Sequence, residues 1–224
     1  MSNQSPSLLG VVLCGGKSMR MGRDKAALPL PLHRRFAGST FLDHAYHRLH
    51  PFVESVVVSI AEPNNAISRR YPTITDSSPG YGPIGGLESA LTHADQRQLD
   101  GCLLTAVDTP FLTADDIGAL RCVFDRDPTM IVCATIDDMP TDLREIQAGP
   151  DSYLVTEPQR PHYEPLVAVY PTRVLPVVRK AIEEQRFGLQ RLLAQLSAHQ
   201  IRMSSRSLRN FNTPTDLRAL SDDP

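Results

Sequence analysis

A glycine pair and a basic run follow the apolar hexapeptide LLGVVL (Leu8 to Leu13): Cys14-Gly15-Gly16-Lys17-Ser18, continuing to Lys25. Adjacent glycines let a backbone approach a ligand closely and turn its N–H groups toward it. Lys17, Arg20, Arg23 and Lys25 add four cations within nine residues, a density that suits a triphosphate better than a carboxylate. The stretch is not an ATP-type P-loop. That motif needs a glycine five positions before its Gly-Lys-Ser, and Val11 stands there, with Gly10 one position off. A Gly-x-Gly-x-x-Gly dinucleotide loop fails too, because Gly15 and Gly16 are adjacent and the next glycine is Gly22. The alternative is a solvated basic turn.

Asp108 stands at the end of GCLLTAV (Gly101 to Val107), a second apolar run. Open α/β sheets bind ligands beyond the carboxyl ends of their strands. A carboxylate there, joined by phosphate oxygens, is a usual Mg²⁺ arrangement. The alternative is a turn cap before Pro110. Asp76 opens another candidate stretch, which runs on through GYGPIGG (Gly80 to Gly86); its Gly82 and Gly86 would let the chain lie close to a flat ligand. His44, His47 and His50 are spaced by three, but the first and last drift apart around a helix and no cysteine or glutamate completes a metal set nearby. They are expected on a solvated face, with Asp43 and His47 as an i, i+4 pair. Asp115-Asp116 suits the start of a helix better than a carboxylate dyad.

The elements that must position these residues follow from hydrophobic periodicity. Buried strands are expected at Leu8 to Leu13, Ser55 to Ile60, Gly101 to Val107, Met130 to Thr135 and Pro165 to Tyr170, with weaker ones at Pro72 to Thr75 and Gln200 to Met203. Helices are expected after Thr40, which has Asp43 at the capping-box position, and after Thr113, which has Asp116. Further helices are expected from about Leu87 to His93, Arg173 to Gln185, Leu189 to Ala198, and after Thr213-Pro214. Strands alternate with helices. That pattern predicts one α/β domain over residues 8–220, with a doubly wound, mostly parallel sheet and helices on both faces. Residues 1–7 and 221–224 read as tails, and 136–161 as a flap or insertion without a clear period.

Composition limits the partners. A net charge of −2 over 224 residues gives no global basic field for nucleic acid. No apolar run approaches the ~20 residues of a membrane span, and the polar N-terminus lacks a signal-peptide pattern. The four cysteines, Cys14, Cys102, Cys122 and Cys133, form no Cys-x-x-Cys pair and lie in apolar runs. They read as buried reduced thiols of a cytoplasmic protein.

LCGGKSMRMGRDK resembles Leu-Ala-Gly-Gly-x-Ser-x-Arg-Met-Gly-x-Asp-Lys, the signature loop of nucleotidyltransferases, and is most similar to that of the MobA-like molybdenum cofactor guanylyltransferases. The match runs through Leu13, Gly15, Gly16, Ser18, Arg20, Met21, Gly22, Asp24 and Lys25, with Cys14 in place of alanine. Three later segments match in order. They are Thr75 to Leu91 through Asp76, Gly82, Pro83, Ile84, Gly86 and Ser89; AVDTPFL through Asp108 and Pro110; and NFNTPTDL through Asn210, Asn212, Thr213, Pro214 and Asp216.

The resemblance implies a Rossmann-like nucleotidyltransferase fold. It implies transfer of GMP from GTP to the phosphate of molybdopterin, with Mg²⁺ (Mn²⁺ as a substitute) held at Asp108 and pyrophosphate released. Arg20 and Lys25 would neutralise the triphosphate. Leu13, Cys14, Gly15 and Gly16 would contact the nucleotide through backbone, with Asp76, Gly82 and Gly86 near its base and ribose. Asn210 and Asn212 would face the pterin; their alternative is an Asx-turn before Thr213. Implied partners are GTP, molybdopterin and proteins that insert or deliver the cofactor, with no nucleic acid and no membrane. A CTP-dependent relative, another phosphorylated acceptor and a non-catalytic nucleotide-binding adaptor are the competing readings.

Overall fold

The structure, a computed structural model, describes residues 5–14, 25–30, 39–77, 80–136, 144–146, 153–155 and 162–211. Its strands, in chain order, are Leu8–Leu13 (β1), Ser55–Ile60 (β2), Thr73–Thr75 (β3), Gly101–Ala106 (β4), Val132–Ile136 (β5), Arg144–Ile146 (β6), Tyr153–Val155 (β7), Tyr163–Pro171 (β8) and His199–Met203 (β9). Seven form one sheet, in the order β3-β2-β1-β4-β8-β5-β9. Only β8 runs against the others, pairing antiparallel with both β4 and β5. The sheet is therefore mostly parallel, as expected. β6 and β7 pair antiparallel as a separate ladder within the stretch read as a flap or insertion.

The helices are Phe41–Leu49 (α1), Asn65–Ser68 (α2), Pro83–Gln96 (α3), Ala114–Arg126 (α4), Leu175–Glu183 (α5) and Leu189–Leu196 (α6). Alternate residues of each strand point to opposite faces, and both faces are covered. Leu9, Val11, Leu13, Cys102 and Leu104 pack with Leu87 of α3, Val178 of α5 and Leu193 of α6. Leu8, Val12, Val58 and Leu103 pack with Leu42 of α1 and Leu120 of α4. Continuous apolar runs are what strands covered on both sides require.

Thr40 and Thr113 cap α1 and α4, each in a reciprocal capping box with the expected aspartate, Asp43 or Asp116. Asp116 thus belongs to a helix start, not a dyad. α3 begins at Pro83, four residues before the expected Leu87. Its two glycines suggested a loop, but Ile84, Gly85 and Gly86 are buried in the helix's first turns. Tertiary packing overrode propensity there.

Three other expectations change. Cys102 and Cys133 are buried, but Cys14 is half-buried and Cys122, on the outer side of α4, is exposed. Ser7 is not free chain: its N–H and hydroxyl donate to Asp100 Oδ2 at 2.7 and 3.0 Å. Residues 1–4, and the helix expected after Thr213, lie outside the described residues. Among the described residues no helix is long and apolar enough to cross a membrane.

Candidate active site

The sheet order places β1 between β2 and β4, so the chain leaving β1 and the chain leaving β4 meet at a topological switch point. Cys14 N donates to Ser59 O at 2.9 Å on one side, and Val107 N donates to Leu13 O at 3.2 Å on the other. Leu13 and Cys14 therefore stand in the seam. The chain then enters residues 15–24, outside the described residues, so the expectations for Gly15, Gly16 and Arg20 lie there. The chain is described again at Lys25, the first residue of the 3-10 turn Lys25–Ala27, which lies beside α1.

Asp76 follows β3 and is brought back to the seam. Its N–H donates to Ile60 O at 3.1 Å, and Ser59 Oγ donates to Asp76 Oδ1 at 3.1 Å. Burial pushes its carboxyl above the ordinary range, and the Ser59 bond only partly offsets this. Gly86 completes the group. A Cβ there would lie 2.7 Å from Leu13 Cδ2, 3.2 Å from Ser59 Oγ and 3.5 Å from Asp76 Oδ1. So Leu13, Asp76 and Gly86, far apart in sequence, come together. Gly86 is helical and buried, and its missing side chain serves the approach of α3 to β1. Gly82 is exposed at the helix N-cap with φ 70° and ψ −151°, a region open essentially only to glycine. Ser89 fixes the entry to this loop, accepting from Ser77 N at 2.9 Å.

Asp108 sits half-buried in the turn after β4. Phe211 N donates to Asp108 O at 3.0 Å, which brings the C-terminal segment, with exposed Asn210, to the same place. Asn212 lies outside the described residues. Buried Phe211 packs with Leu30 and Phe41 and meets Phe111 edge-on at 5.3 Å.

Sequence reasoning missed the residues behind this turn. Arg48 Nη1 donates to Leu112 O at 2.8 Å and Thr109 O at 3.0 Å, and His44 Nε2 lies 3.0 Å from Pro110 O. Their i, i+4 spacing on α1 was the available signal. It corrects the expectation of a solvated histidine face. His47 and His50 are exposed, whereas His44 turns inward, its pKa pushed down to about 4 by burial and by the Arg48 charge. Asp43 pairs not with His47 but with Arg70 at 3.0 Å, with the Tyr71 hydroxyl and with its cap. Burial alone would raise its carboxyl, but those hydrogen bonds hold it below the usual range.

Glu164, near the start of β8, was also missed. Its carboxyl is pushed up by burial; His162, 3.8 Å away, acts against this and the nearby Asp108 charge adds to it. A charged residue opening an apolar strand was the clue. Among the described residues no group of three or more His, Cys, Asp or Glu side chains could hold a metal.

A sheet of this order, with a glycine-rich loop after its first strand and a carboxylate after its fourth, defines a nucleotidyltransferase-type α/β domain. The model of the MobA-like NTP transferase domain matches residues 10–201, and the chain belongs to that family. It is 36% identical over 217 residues, 95% of this chain and 90% of the other, to a Rhodopirellula baltica protein named "Probable molybdenum cofactor guanylyltransferase". A "Molybdenum cofactor guanylyltransferase" of Sinorhizobium fredii is 39% identical over 105 residues, 45% of each chain, so that match spans about half of the relative. The crystal structure of molybdopterin-guanine dinucleotide biosynthesis protein A from Archaeoglobus fulgidus shares the fold, with a TM-score of 0.64 at 20% identity, over 96% of this chain and 97% of that one.

Proposed function

We propose that the chain transfers GMP from GTP to the terminal phosphate of molybdopterin. A phosphate oxygen of the acceptor attacks the α-phosphorus, the bond from that phosphorus to the β-phosphate bridging oxygen breaks, and pyrophosphate leaves. Two anionic groups must meet, so the protein's contribution is positioning and neutralisation of charge. The observation that carries the reading is the convergence of Leu13, Asp76 and Gly86 beside the β1–β4 seam from which Asp108 emerges, in a chain so similar over its length to a named guanylyltransferase.

In this reading Leu13, Cys14, Gly15 and Gly16 approach the nucleotide through backbone. Arg20 and Lys25 neutralise its triphosphate. Asp76, with its ionised form disfavoured by burial, is worth more as an acceptor for ligand N–H donors than in water. Gly82 brings the start of α3 to the nucleotide, and Gly86 keeps α3 against β1. Asn210 and Asn212 face the pterin. The donors fit a divalent cation. Hard cations take oxygen ligands, typically one or two carboxylates with substrate phosphates and water, and Asp108 lies near enough to Glu164 for the two charges to repel. Asp108 would hold Mg²⁺, with Mn²⁺ able to replace it. The cation would neutralise phosphate charge. The reaction would take place in the cytoplasm, its product passing to cofactor insertion or delivery proteins.

The test is a nucleotide panel. GTP with Mg²⁺ should raise the melting temperature, since a ligand of the native state stabilises it, and pyrophosphate should form only when molybdopterin is added. Turnover with CTP instead of GTP would move the assignment to a cytidylyltransferase, and no response to GTP, CTP, ATP or UTP would sink the enzyme reading. Asp108→Ala should keep the fold and lose turnover.

A further inference from the structure

Arg48 carries a positive charge into the protein behind the Asp108 turn. Its Nη1 reaches three carbonyls of that turn: Leu112 O at 2.8 Å, Thr109 O at 3.0 Å and, more weakly, Pro110 O at 3.4 Å. Its Nε and Nη2 are shut off from solvent, with no hydrogen-bond partner among the described residues. Burial brings its pKa down to about 10, against the opposing charge of Asp116, so it stays protonated at neutral pH. His44, one helical turn earlier, lies against Pro110 O at 3.0 Å. With its pKa at about 4 it is neutral, so the Nε2–H tautomer donates without adding a second buried cation.

Burying an incompletely paired guanidinium is unfavourable, and an apolar side chain of similar size in such a place is often neutral or stabilising. Stability alone therefore does not explain Arg48. The turn does. Pro110 has no N–H, and the carbonyls of Thr109, Pro110 and Leu112 point into the protein rather than along the sheet. Thr109 Oγ1 ties the turn to Ala106 O at 3.2 Å, and Phe211 N ties it to the C-terminal segment. α1 closes the third side.

We propose that Arg48 and His44 are positioning residues that fix the turn over residues 109–112 and thereby aim the Asp108 carboxylate at its cation. The proposal rests on the reading of Asp108 as the cation ligand. Partners one shell out from a metal ligand typically change metal affinity or activity by about 10–100-fold when mutated.

The test uses the full chain with GTP and Mn²⁺, counting bound Mn²⁺ by electron paramagnetic resonance against a titration of nucleotide alone. Melting temperature, kcat and the KM for GTP are measured alongside. Arg48→Met should weaken Mn²⁺ binding and lower kcat by about 10–100-fold, while the KM for GTP stays within about threefold, the pattern of a contact that matters mainly after the nucleotide is bound. Arg48→Lys should recover part of the loss. His44→Gln, which keeps an N–H donor, should bind Mn²⁺ better than His44→Leu. Asp108→Asn should abolish the protein's contribution to Mn²⁺ binding; native binding there would overturn the cation reading itself, whatever Arg48 does. If Asp108→Asn loses Mn²⁺ and folded Arg48→Met binds it as the native chain does, the positioning proposal is wrong. Should Arg48→Met fail to fold, Arg48→Lys and His44→Leu decide in the same way.

Discussion

Replacing Gly86 with alanine sets two magnitudes against each other. An alanine in a helix interior is favoured over glycine by about 1 kcal/mol. The new Cβ, however, would lie 2.7 Å from Leu13 Cδ2, where carbon atoms prefer about 3.5–4.0 Å. Leu13 must then retreat by about 1 Å. It is 8% exposed and packed in the layer that also holds Ile84 and Leu87, both fully buried, so that retreat disturbs neighbours with little room. Overpacking of this kind costs about 1–3 kcal/mol. The balance is a net loss of about 1 kcal/mol. The second consequence is functional. The same Cβ stands 3.2 Å from Ser59 Oγ and 3.5 Å from Asp76 Oδ1, so Leu13, Ser59 and Asp76 shift together and the KM for GTP should rise about tenfold. Gly82→Ala separates clash from strain. Nothing lies within 4 Å of its added Cβ, but φ is +70°, so it should lose about 1–3 kcal/mol through backbone alone. Urea denaturation measures the stabilities, and pyrophosphate release measures the KM. A Gly86→Ala chain more stable than native, with an unchanged KM, would show that α3 does not need its glycine against β1.

Asp76→Asn keeps an acceptor for Ser59 Oγ and removes a charge that burial disfavours. The folded-state pKa lies above the ordinary 3.8, so folding favours the protonated form, and the penalty develops as pH rises through the folded value. The variant should therefore melt higher than native at pH 7 while binding GTP more weakly, and the thermal gain should shrink toward zero as pH falls toward 3.8. An equal gain at both ends of that range would remove burial of the charge as its cause. Thr113→Ala should lose about 1 kcal/mol in urea denaturation with kcat and KM unchanged; a full native stability would mean that the α4 capping box contributes nothing.

The local signals were legible where one residue's chemistry decides the outcome. Thr40 with Asp43 and Thr113 with Asp116 announce helix starts because a hydroxyl and a carboxylate three residues apart satisfy two orphan N–H groups. The runs at Leu8, Ser55 and Gly101 announce strands covered on both sides. What stayed hidden depends on partners distant in sequence. The glycines of α3 read as loop residues until β1 is placed beside them. Arg48 and His44 read as surface polar residues until the Asp108 turn, about 60 residues later, is folded onto them. Glu164 was obscured because no local rule says which strand β8 will join or in which direction it will run.

That direction shapes the site. β4 and β8 keep register from Gly101 opposite Pro171 to Leu104 opposite Ala168, while the pairing of β8 with β5 slips between Cys133 and Ala134. The slip falls where Pro165 offers no N–H to a ladder. It is pinned from inside by the buried Tyr170, whose hydroxyl donates to Pro165 O at 2.9 Å. A fifth parallel strand at this position would carry its own carboxyl end, and the loop after it, to the edge where β1 and β4 end. A reversed strand instead brings its beginning, so Glu164 comes within electrostatic reach of Asp108 while the chain between them is spent elsewhere in the fold. The parallel half of the sheet supplies the nucleotide-facing seam at Leu13 and Asp76. The reversed strand supplies the second carboxylate across from it, and the Asp108 turn, held from behind by α1, lies where the two halves meet.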